Sequence, residues 1–148
     1  MNDELTQEQA DYLLDLPKRR AEDGFVVWPS GGGKESVLLI STDGREEFML
    51  DVETSAMKLT KLKLQNRARI NVILVRLDVD GPGHRNPDHT EMPCPHIHLY
   101  REGYADKWAY PVPSEHFTDL SDMKKTVDDF MRFCRIIEPP QFIPGLVP

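Results

Sequence analysis

The stretch from Met57 to Val79, MKLTKLKLQNRARINVILVRLDV, decides the fold of this chain. Successive side chains of a β-strand point to opposite faces of a sheet. In the first half, polar residues recur at every second position, at Lys61, Lys63, Gln65, Arg67 and Arg69. The second half is apolar on both parities over Val72–Val75, as in a strand buried on both sides, and becomes polar at Arg76 and Asp78. The stretch therefore predicts two sheet strands, the first with a basic face.

Short runs of β-forming residues before this stretch extend the predicted sheet. They are Phe25–Trp28, Ser36–Ser41 and Glu47–Val52. Between the last two lies Asp43-Gly44, a pair that tolerates positive φ angles and favours a type I′ hairpin turn. With the runs that follow Val79, we expect about six or seven strands, most of them antiparallel.

Two segments have the amphipathic pattern of helices, one near each end of the chain. The first runs from Thr6 to about Arg20, with Pro17 as an alternative end, and Thr6 and Gln9 have the spacing of a capping box. The second runs from Ser121 to Cys134, with its apolar residues on one side. The order of helix, strands and helix predicts an α+β fold, with both helices packed on a mostly antiparallel sheet.

Length and composition agree with one folded domain. The chain has 148 residues, of which 39% are hydrophobic and 29% charged, so disorder is excluded. Residues 1–138 are expected to form the domain, and residues 139–148 a proline-rich C-terminal tail. No window approaches the roughly 18 apolar residues of a membrane helix, and the N-terminus is acidic. We therefore expect a cytoplasmic protein without a membrane partner.

The net charge of −7 hides a basic centre. Residues 1–56 carry −8, residues 57–110 carry +3 and residues 111–148 carry −2. Four of the five histidines fall in the basic region: His84, His89, His96 and His98. An acidic total argues against a nucleic-acid partner, but a local positive region with histidines leaves RNA as a candidate.

A loop of fifteen residues, Gly81–Pro95, separates the buried strand from the next apolar run. Loops of this length inside a compact domain are usually functional or disordered, and this one holds the ionisable residues His84 and Asp88. The strand that follows is predicted to place three side chains on one face: His96, His98 and Tyr100.

Imidazoles beside fixed cations suit the cleavage of a phosphodiester bond. Imidazole exchanges protons near neutral pH, and Lys or Arg stabilises the charge that grows on the phosphoryl group. The leading hypothesis is a metal-independent endoribonuclease of toxin type, which needs no cofactor. Its predicted acid–base residues are His84, His96 and His98, and its predicted substrate-binding residues are Lys61, Lys63, Gln65, Arg67, Arg76 and Tyr100.

Two other functions remain open. A non-catalytic interaction protein would use the same basic surface against a nucleic acid or a host protein, and a toxin would have a cognate antitoxin as its partner. A metal-binding protein would use the His-x-His strand, because two imidazoles on one strand face are a common part of metal sites. The ligands predicted for that case are His96, His98, His84 and Asp88.

The segment PHIHLYREGYADKWA at residues 95–109 carries a resemblance, together with LVRLD at 74–78 and HRNPD at 84–88. With LTQEQA at 5–10, these residues make the chain similar to an uncharacterised family of short bacterial and prophage proteins, over residues 5 to about 110. The resemblance implies a toxin, an anti-defence factor or another accessory of a mobile element. The family has glycine where this chain has His89, which implies that His89 is not essential.

Overall fold

The computed structural model describes residues 4–145, and this part of the chain contains two helices and three β-sheets. The helices are α1 (Gln7–Asp15) and α2 (Met123–Phe133). The strands are β1 (Lys18–Arg20), β2 (Phe25–Val27), β3 (Gly33–Ser41), β4 (Glu47–Thr54), β5 (Leu62–Ala68), β6 (Val72–Val79), β7 (His84–Arg85), β8 (Glu91–Met92), β9 (His96–Leu99), β10 (Ala109–Tyr110), β11 (Ile136–Glu138) and β12 (Gln141–Ile143).

Eight strands form the main sheet, in the order β10-β9-β6-β5-β4-β3-β1-β11. Its neighbouring strands are antiparallel except for the parallel pair β1–β11. The other sheets are the parallel pair β2–β12 and the antiparallel pair β7–β8. The predicted α+β fold with a mostly antiparallel sheet is confirmed. The predicted number of strands is too low, because strands of two or three residues are too short to show alternation.

The N-terminal helix begins where the sequence predicts and ends earlier. The side chain of Thr6 accepts a hydrogen bond from the backbone of Gln9, and the side chain of Gln9 bonds back to Thr6, as in a capping box. The helix ends at Asp15 because Pro17 disfavours helical geometry just before it. The predicted extension to Arg20 is therefore wrong. In residues 4–145 no helix is long and apolar enough to cross a membrane.

Both helices pack into one core with the apolar face of the central strands. Ala10 and Leu13 of α1 belong to the same buried cluster as Val127 and Phe130 of α2. The cluster includes alternate residues of the strands, among them Leu50, Val52, Leu62, Leu64 and Leu77. The predicted alternation in the first half of the stretch Met57–Val79 is therefore confirmed for its apolar residues, which face the core.

The opposite face of the central strands carries two rows of polar side chains, here called the polar face. Directly paired residues of neighbouring strands lie on the same side of a sheet. The first row is Lys34, Glu53, Lys63, Asp78 and His96, and the second is Ser36, Asp51, Gln65, Arg76 and His98. The register therefore places the two histidines of β9 beside Asp78 and Arg76 of β6.

Part of the proline-rich segment is also packed. Gln141–Ile143 forms β12 beside β2, and the ring of Phe142 meets that of Trp28 edge to face, with 5.5 Å between centroids. The domain boundary at residue 138 stays a prediction.

Candidate functional site

Four side chains meet on the polar face at its β9 end, and we call them the histidine cluster: Asp78, His84, His96 and His98. The ring centroids of His96 and His98 are 4.9 Å apart. The ring of His84, from the short strand β7, lies 4.7 Å from that of His98 and 6.0 Å from that of His96. The convergence of the three predicted histidines is therefore observed.

Asp78 lies between the two histidines of β9. Its Oδ2 atom is 3.0 Å from Nε2 of His96 and 3.3 Å from Nε2 of His98. Burial by itself raises the pKa of Asp78, but the contacts with His98, Arg76 and His96 outweigh it and hold the pKa well below the usual value. The carboxylate is therefore ionised. Its buried Oδ1 has no hydrogen-bond partner among residues 4–145.

A backbone carbonyl holds one nitrogen of each imidazole. The carbonyl of Lys107 is 2.7 Å from Nε2 of His84, that of Pro93 is 3.3 Å from Nδ1 of His96, and that of Asp106 is 2.8 Å from Nδ1 of His98. A neutral imidazole has one N–H donor and one acceptor nitrogen. When a neutral His96 or His98 donates its Nδ1–H to the backbone carbonyl, its Nε2 is an acceptor. Both Nε2 atoms then face a carboxylate oxygen of Asp78, which is also an acceptor. A proton on the imidazole, which is the case in which His98 and His96 lower the pKa of Asp78, or a metal ion would fill the space between these acceptors.

Arg76 is the cation nearest to these atoms. Its Nη2 lies 2.8 Å from Nε2 of His98 and 3.2 Å from Oδ2 of Asp78. Its Nη1 lies 3.3 Å from Oδ2 of Asp106, in the loop before β10. The guanidinium is therefore shared between the cluster and Asp106, and its contacts with the two carboxylates are long for charge-assisted hydrogen bonds.

The histidines of the sheet strand β9 are buried from solvent, whereas His84 is partly exposed. His96 and His98 are each 1% exposed, so neither imidazole can touch a large substrate in this conformation. His84 is half-buried, and the side chain of Arg76 is 22% exposed. Any ligand from solvent would therefore meet His84 and Arg76 first.

Asn86 positions His84 by tying the long loop to β10. Asn86 is buried, and its side-chain amide makes two hydrogen bonds with the backbone of Ala109. Its Nδ2 donates to the carbonyl at 3.0 Å, and its Oδ1 accepts from the N–H at 2.8 Å. His89, in the turn between β7 and β8, has a φ of 73°, a conformation that favours glycine and gives a physical reason for glycine at this position.

Two predicted substrate-binding residues belong to a separate network on the polar face. The carboxylate of Asp51 accepts two hydrogen bonds from Arg67, at 2.6 and 3.0 Å, and one each from Gln65 and Ser36, at 2.7 and 2.6 Å. Burial raises the pKa of Asp51, and the hydrogen bonds from Arg67, Ser36 and Gln65 lower it further than burial raises it. Arg67 is thus paired with a carboxylate and makes none of the contacts of the histidine cluster described above.

Tyr100 has a packing role. It is 7% exposed, and its hydroxyl accepts from the N–H of Leu5 at 2.8 Å and donates to the carbonyl of the same residue at 2.7 Å. β9 ends at Leu99, and the hydroxyl of Tyr100 is bonded to Leu5 and not to the histidines.

The remaining predicted residues lie outside the cluster or at its margin. The carboxylate of Asp88 accepts from the N–H and the hydroxyl of Thr90, at 3.0 and 2.6 Å, inside a turn of the loop. Lys63 pairs in register with Asp78, and Lys61 is exposed before β5 begins. The acidic residue of the cluster is therefore Asp78 instead of Asp88.

Sequence reasoning missed the groups that orient the imidazoles. Asp78 was visible, because it shares the parity of Arg76 at the end of a buried strand. Asp106 and the carbonyls of Pro93 and Lys107 carry no sequence signal, since backbone contacts depend on the course of the loops. The role of Asn86 has no sequence signal either, because it depends on hydrogen bonds to Ala109, 23 residues further along the chain.

Three residues of the cluster form a group that could hold a metal ion. The ligand-type atoms of Asp78, His96 and His98 all lie within 4.8 Å of one another. Zinc binds imidazole and carboxylate at about 2.0–2.2 Å in tetrahedral sites, so two ligands of one ion lie about 3.3–3.6 Å apart. The 3.3 Å from Asp78 to His98 matches this separation, and the 3.0 Å from Asp78 to His96 is a few tenths of an ångström shorter. Binding of an ion would therefore require small movements of these side chains.

Fold and site together define an α+β protein with a histidine-rich centre on one face of an antiparallel sheet. The model of a family of unknown function, DUF6978, matches residues 5–136. The chain belongs to this family, and the resemblance to an uncharacterised family is confirmed. No curated protein and no solved structure matches the chain.

Proposed function

We propose that this protein binds one divalent transition-metal ion, with zinc the best fit, through His96, His98 and Asp78. The observation that carries the proposal is the convergence of two Nε2 atoms on one carboxylate oxygen, at 3.0 and 3.3 Å, while the far nitrogens contact backbone carbonyls. Metal-bound histidines usually donate their second nitrogen to such a carbonyl or to a carboxylate, which fixes the ring and its tautomer.

Two further observations support the proposal. The buried Oδ1 of Asp78 lacks a partner among residues 4–145, and such an atom is costly unless a ligand or water satisfies it. The donor set of two imidazoles and one carboxylate also matches zinc sites that keep a fourth position open. His84, whose ring centroid lies 4.7 Å from that of His98, is the further imidazole of the cluster beside that position.

An open zinc site supplies a Lewis acid and an activated water, the chemistry of metal-dependent hydrolysis. Around it, this chain provides the half-buried His84, which can exchange a proton, and Arg76, which carries a positive charge at the entrance. We therefore propose that the cluster is a reaction centre of hydrolytic type.

Zinc titration against a chromophoric chelator tests the metal site. We expect the untagged wild type, stripped with EDTA, to bind one zinc ion per chain. Asp78→Asn and His98→Gln should weaken binding by about 100-fold or more, because each removes one of three protein ligands. The matched control is His89→Gly, which deletes an exposed imidazole and suits the backbone there.

Equal zinc affinity in the wild type and both ligand variants would contradict the metal site. So would a wild type that binds no zinc. Thermal unfolding in EDTA shows whether each metal-free variant is folded, so that weaker binding cannot be attributed to misfolding.

Metal-independent cleavage of RNA is the second candidate function. Its support is the convergence of three imidazoles with Arg76, which provides an acid, a base and a cation in one place. It would rely on His84 to meet the phosphate, because His96 and His98 are buried. RNA cleavage by wild type in excess EDTA, lost in His84→Ala, is the expected result, and an inactive EDTA-treated wild type would remove this candidate.

RNA, a host protein and a cognate antitoxin as partners, the prophage origin and the cytoplasmic location stay predictions from the sequence.

A further inference from the structure

We infer that the metal-loaded site binds an oxyanion of the phosphate class, with Arg76 as the residue that recognises it. This inference rests on the proposed metal site and adds the chemistry of its ligand. It is carried by the contacts that Arg76 makes with two of the proposed metal ligands.

The guanidinium of Arg76 and a metal ion cannot both bind Nε2 of His98. Nη2 of Arg76 lies 2.8 Å from Nε2 of His98 and 3.2 Å from Oδ2 of Asp78, which are ligand atoms of the proposed site. A neutral imidazole has one acceptor lone pair, and a metal ion bound at Nε2 takes it, whereas a carboxylate oxygen has a second lone pair. Metal binding therefore displaces Nη2 of Arg76 from His98.

One contact of Arg76 survives that displacement. Nη1 lies 3.3 Å from Oδ2 of Asp106, and Asp106 is not among the proposed ligands. This contact keeps the guanidinium beside the site, while the N–H group at Nη2 loses its partner on His98. A guanidinium with two adjacent N–H donors matches the oxygens of a phosphate or carboxylate in a bidentate fashion.

The charge of the site changes sign when the metal binds. Arg76, Asp78 and Asp106 together carry −1, and a metal ion binds the neutral form of the imidazoles. A divalent ion brings the total to +1, so an anion is repelled from the empty site and attracted to the loaded one. By linkage, the anion must then tighten the binding of the metal by the same factor by which the metal tightens the binding of the anion.

Zinc affinity measured with and without inorganic phosphate tests the inference, with Arg76→Met as the variant. In the wild type we expect phosphate to tighten zinc binding by about 10-fold, a typical coupling between sites. In Arg76→Met we expect zinc alone to bind as tightly as in the wild type or more tightly, because a competitor is gone, and phosphate to have no effect. The matched control, Arg85→Met, removes an exposed arginine paired with Glu91 and should behave as the wild type.

The outcomes separate the inference from the proposed metal site. If zinc does not bind the wild type, the metal site itself fails. If zinc binds and phosphate coupling is absent, or persists in Arg76→Met, only the oxyanion inference fails. A loss of zinc affinity in Arg76→Met would also overturn it, since Arg76 would then support the metal. Repeating the titration with a dinucleotide distinguishes a free phosphate from a phosphodiester, and the visible spectrum of bound cobalt reports whether the anion reaches the metal.

Discussion

Lys18 is fully buried, and its ammonium group contacts the C-terminal ends of both helices. Its ammonium donates to the carbonyls of Leu14, Leu16 and Cys134, at 2.8, 2.9 and 2.8 Å, and lies 4.8 Å from the ring centre of Phe48. It therefore satisfies carbonyls that the two helix ends leave without an intrahelical partner. Burial lowers the pKa of Lys18 to about 8, although the electrostatic interactions with Cys134 and Asp15 raise it.

The lowered pKa of Lys18 predicts a rise in stability with pH. Between about pH 8 and the ordinary lysine pKa of about 10.4, the unfolded chain holds a proton that the folded chain has released. The free energy of unfolding of the wild type, minus that of Lys18→Met, should therefore increase by on the order of 2–3 kcal/mol across this range. Urea denaturation at a series of pH values measures it, and a flat or falling difference would contradict the assignment.

Ile70 is strained in the turn between β5 and β6. Its φ is 74°, a conformation that costs a β-branched residue about 1–2 kcal/mol, and its side chain is 81% exposed and gains little from burial. Ile70→Asn should raise the free energy of unfolding by about 1 kcal/mol, because asparagine tolerates this conformation. Leu59→Asn is the control, since Leu59 is also exposed but has no positive φ. No gain at Ile70 beyond that at Leu59 would show that the turn is unstrained.

At the scale of elements, Asp51 joins three strands of the polar face. It lies in β4 and accepts hydrogen bonds from Ser36 in β3 and from Gln65 and Arg67 in β5. Such a carboxylate is 2% exposed and depends on these donors to remain charged.

We expect Asp51→Asn to lower the free energy of unfolding by roughly 2–4 kcal/mol at pH 7, because Arg67 loses its partner. The pKa of Asp51 is lowered in the folded state, so its contribution is complete above the unfolded value of about 3.9 and is lost as the pH falls through the folded value. The difference from the wild type should therefore shrink below about pH 4. Glu53→Gln, an exposed change on the same strand, should stay within about 0.5 kcal/mol of the wild type. A difference of equal size at pH 3 and pH 7 would contradict this role.

Elements with a clear period were predictable from the sequence, and pairings between distant short segments were not. The capping box at Thr6, the amphipathic helix α2 and the alternation of Lys63 and Gln65 depend on residues close in sequence, and all are observed. The parallel pairs β1–β11 and β2–β12 join the two ends of the chain, which no local pattern specifies. The Asp43-Gly44 hairpin forms, but only Gly44 has a positive φ, so the predicted type I′ geometry is wrong.

In the candidate site, too, the features set by local sequence pattern were predictable, and those set by strand register were not. The parity of β9 placed His96 and His98 together, and the density of polar residues in the long loop singled out His84. The separation of Arg67 from the histidines was not predictable, because it depends on the register that brings Asp51 beside Gln65 and Arg67. The role of Arg76 at the cluster likewise follows from its pairing with His98.

At the scale of the whole molecule, two arginines of the basic centre are paired with carboxylates within the fold. Arg67 is paired with Asp51, and Arg76 with Asp78 and Asp106. Neither Arg67 nor Arg76 is therefore an unpaired cation on the polar face, and the charge of +3 over residues 57–110 already includes Asp78 and Asp106. What the fold builds there instead is a closed cluster of imidazoles around one ionised carboxylate.

The central claim is that this cluster holds a metal ion, and anomalous X-ray diffraction from crystals grown with zinc tests it most directly. Data collected on both sides of the zinc absorption edge locate the ion without reference to activity. A metal site at the cluster predicts one peak within about 2.0–2.2 Å of Nε2 of His96, Nε2 of His98 and a carboxylate oxygen of Asp78. A map with no peak at the cluster, while Arg76 keeps its contacts with His98 and Asp78, would contradict it.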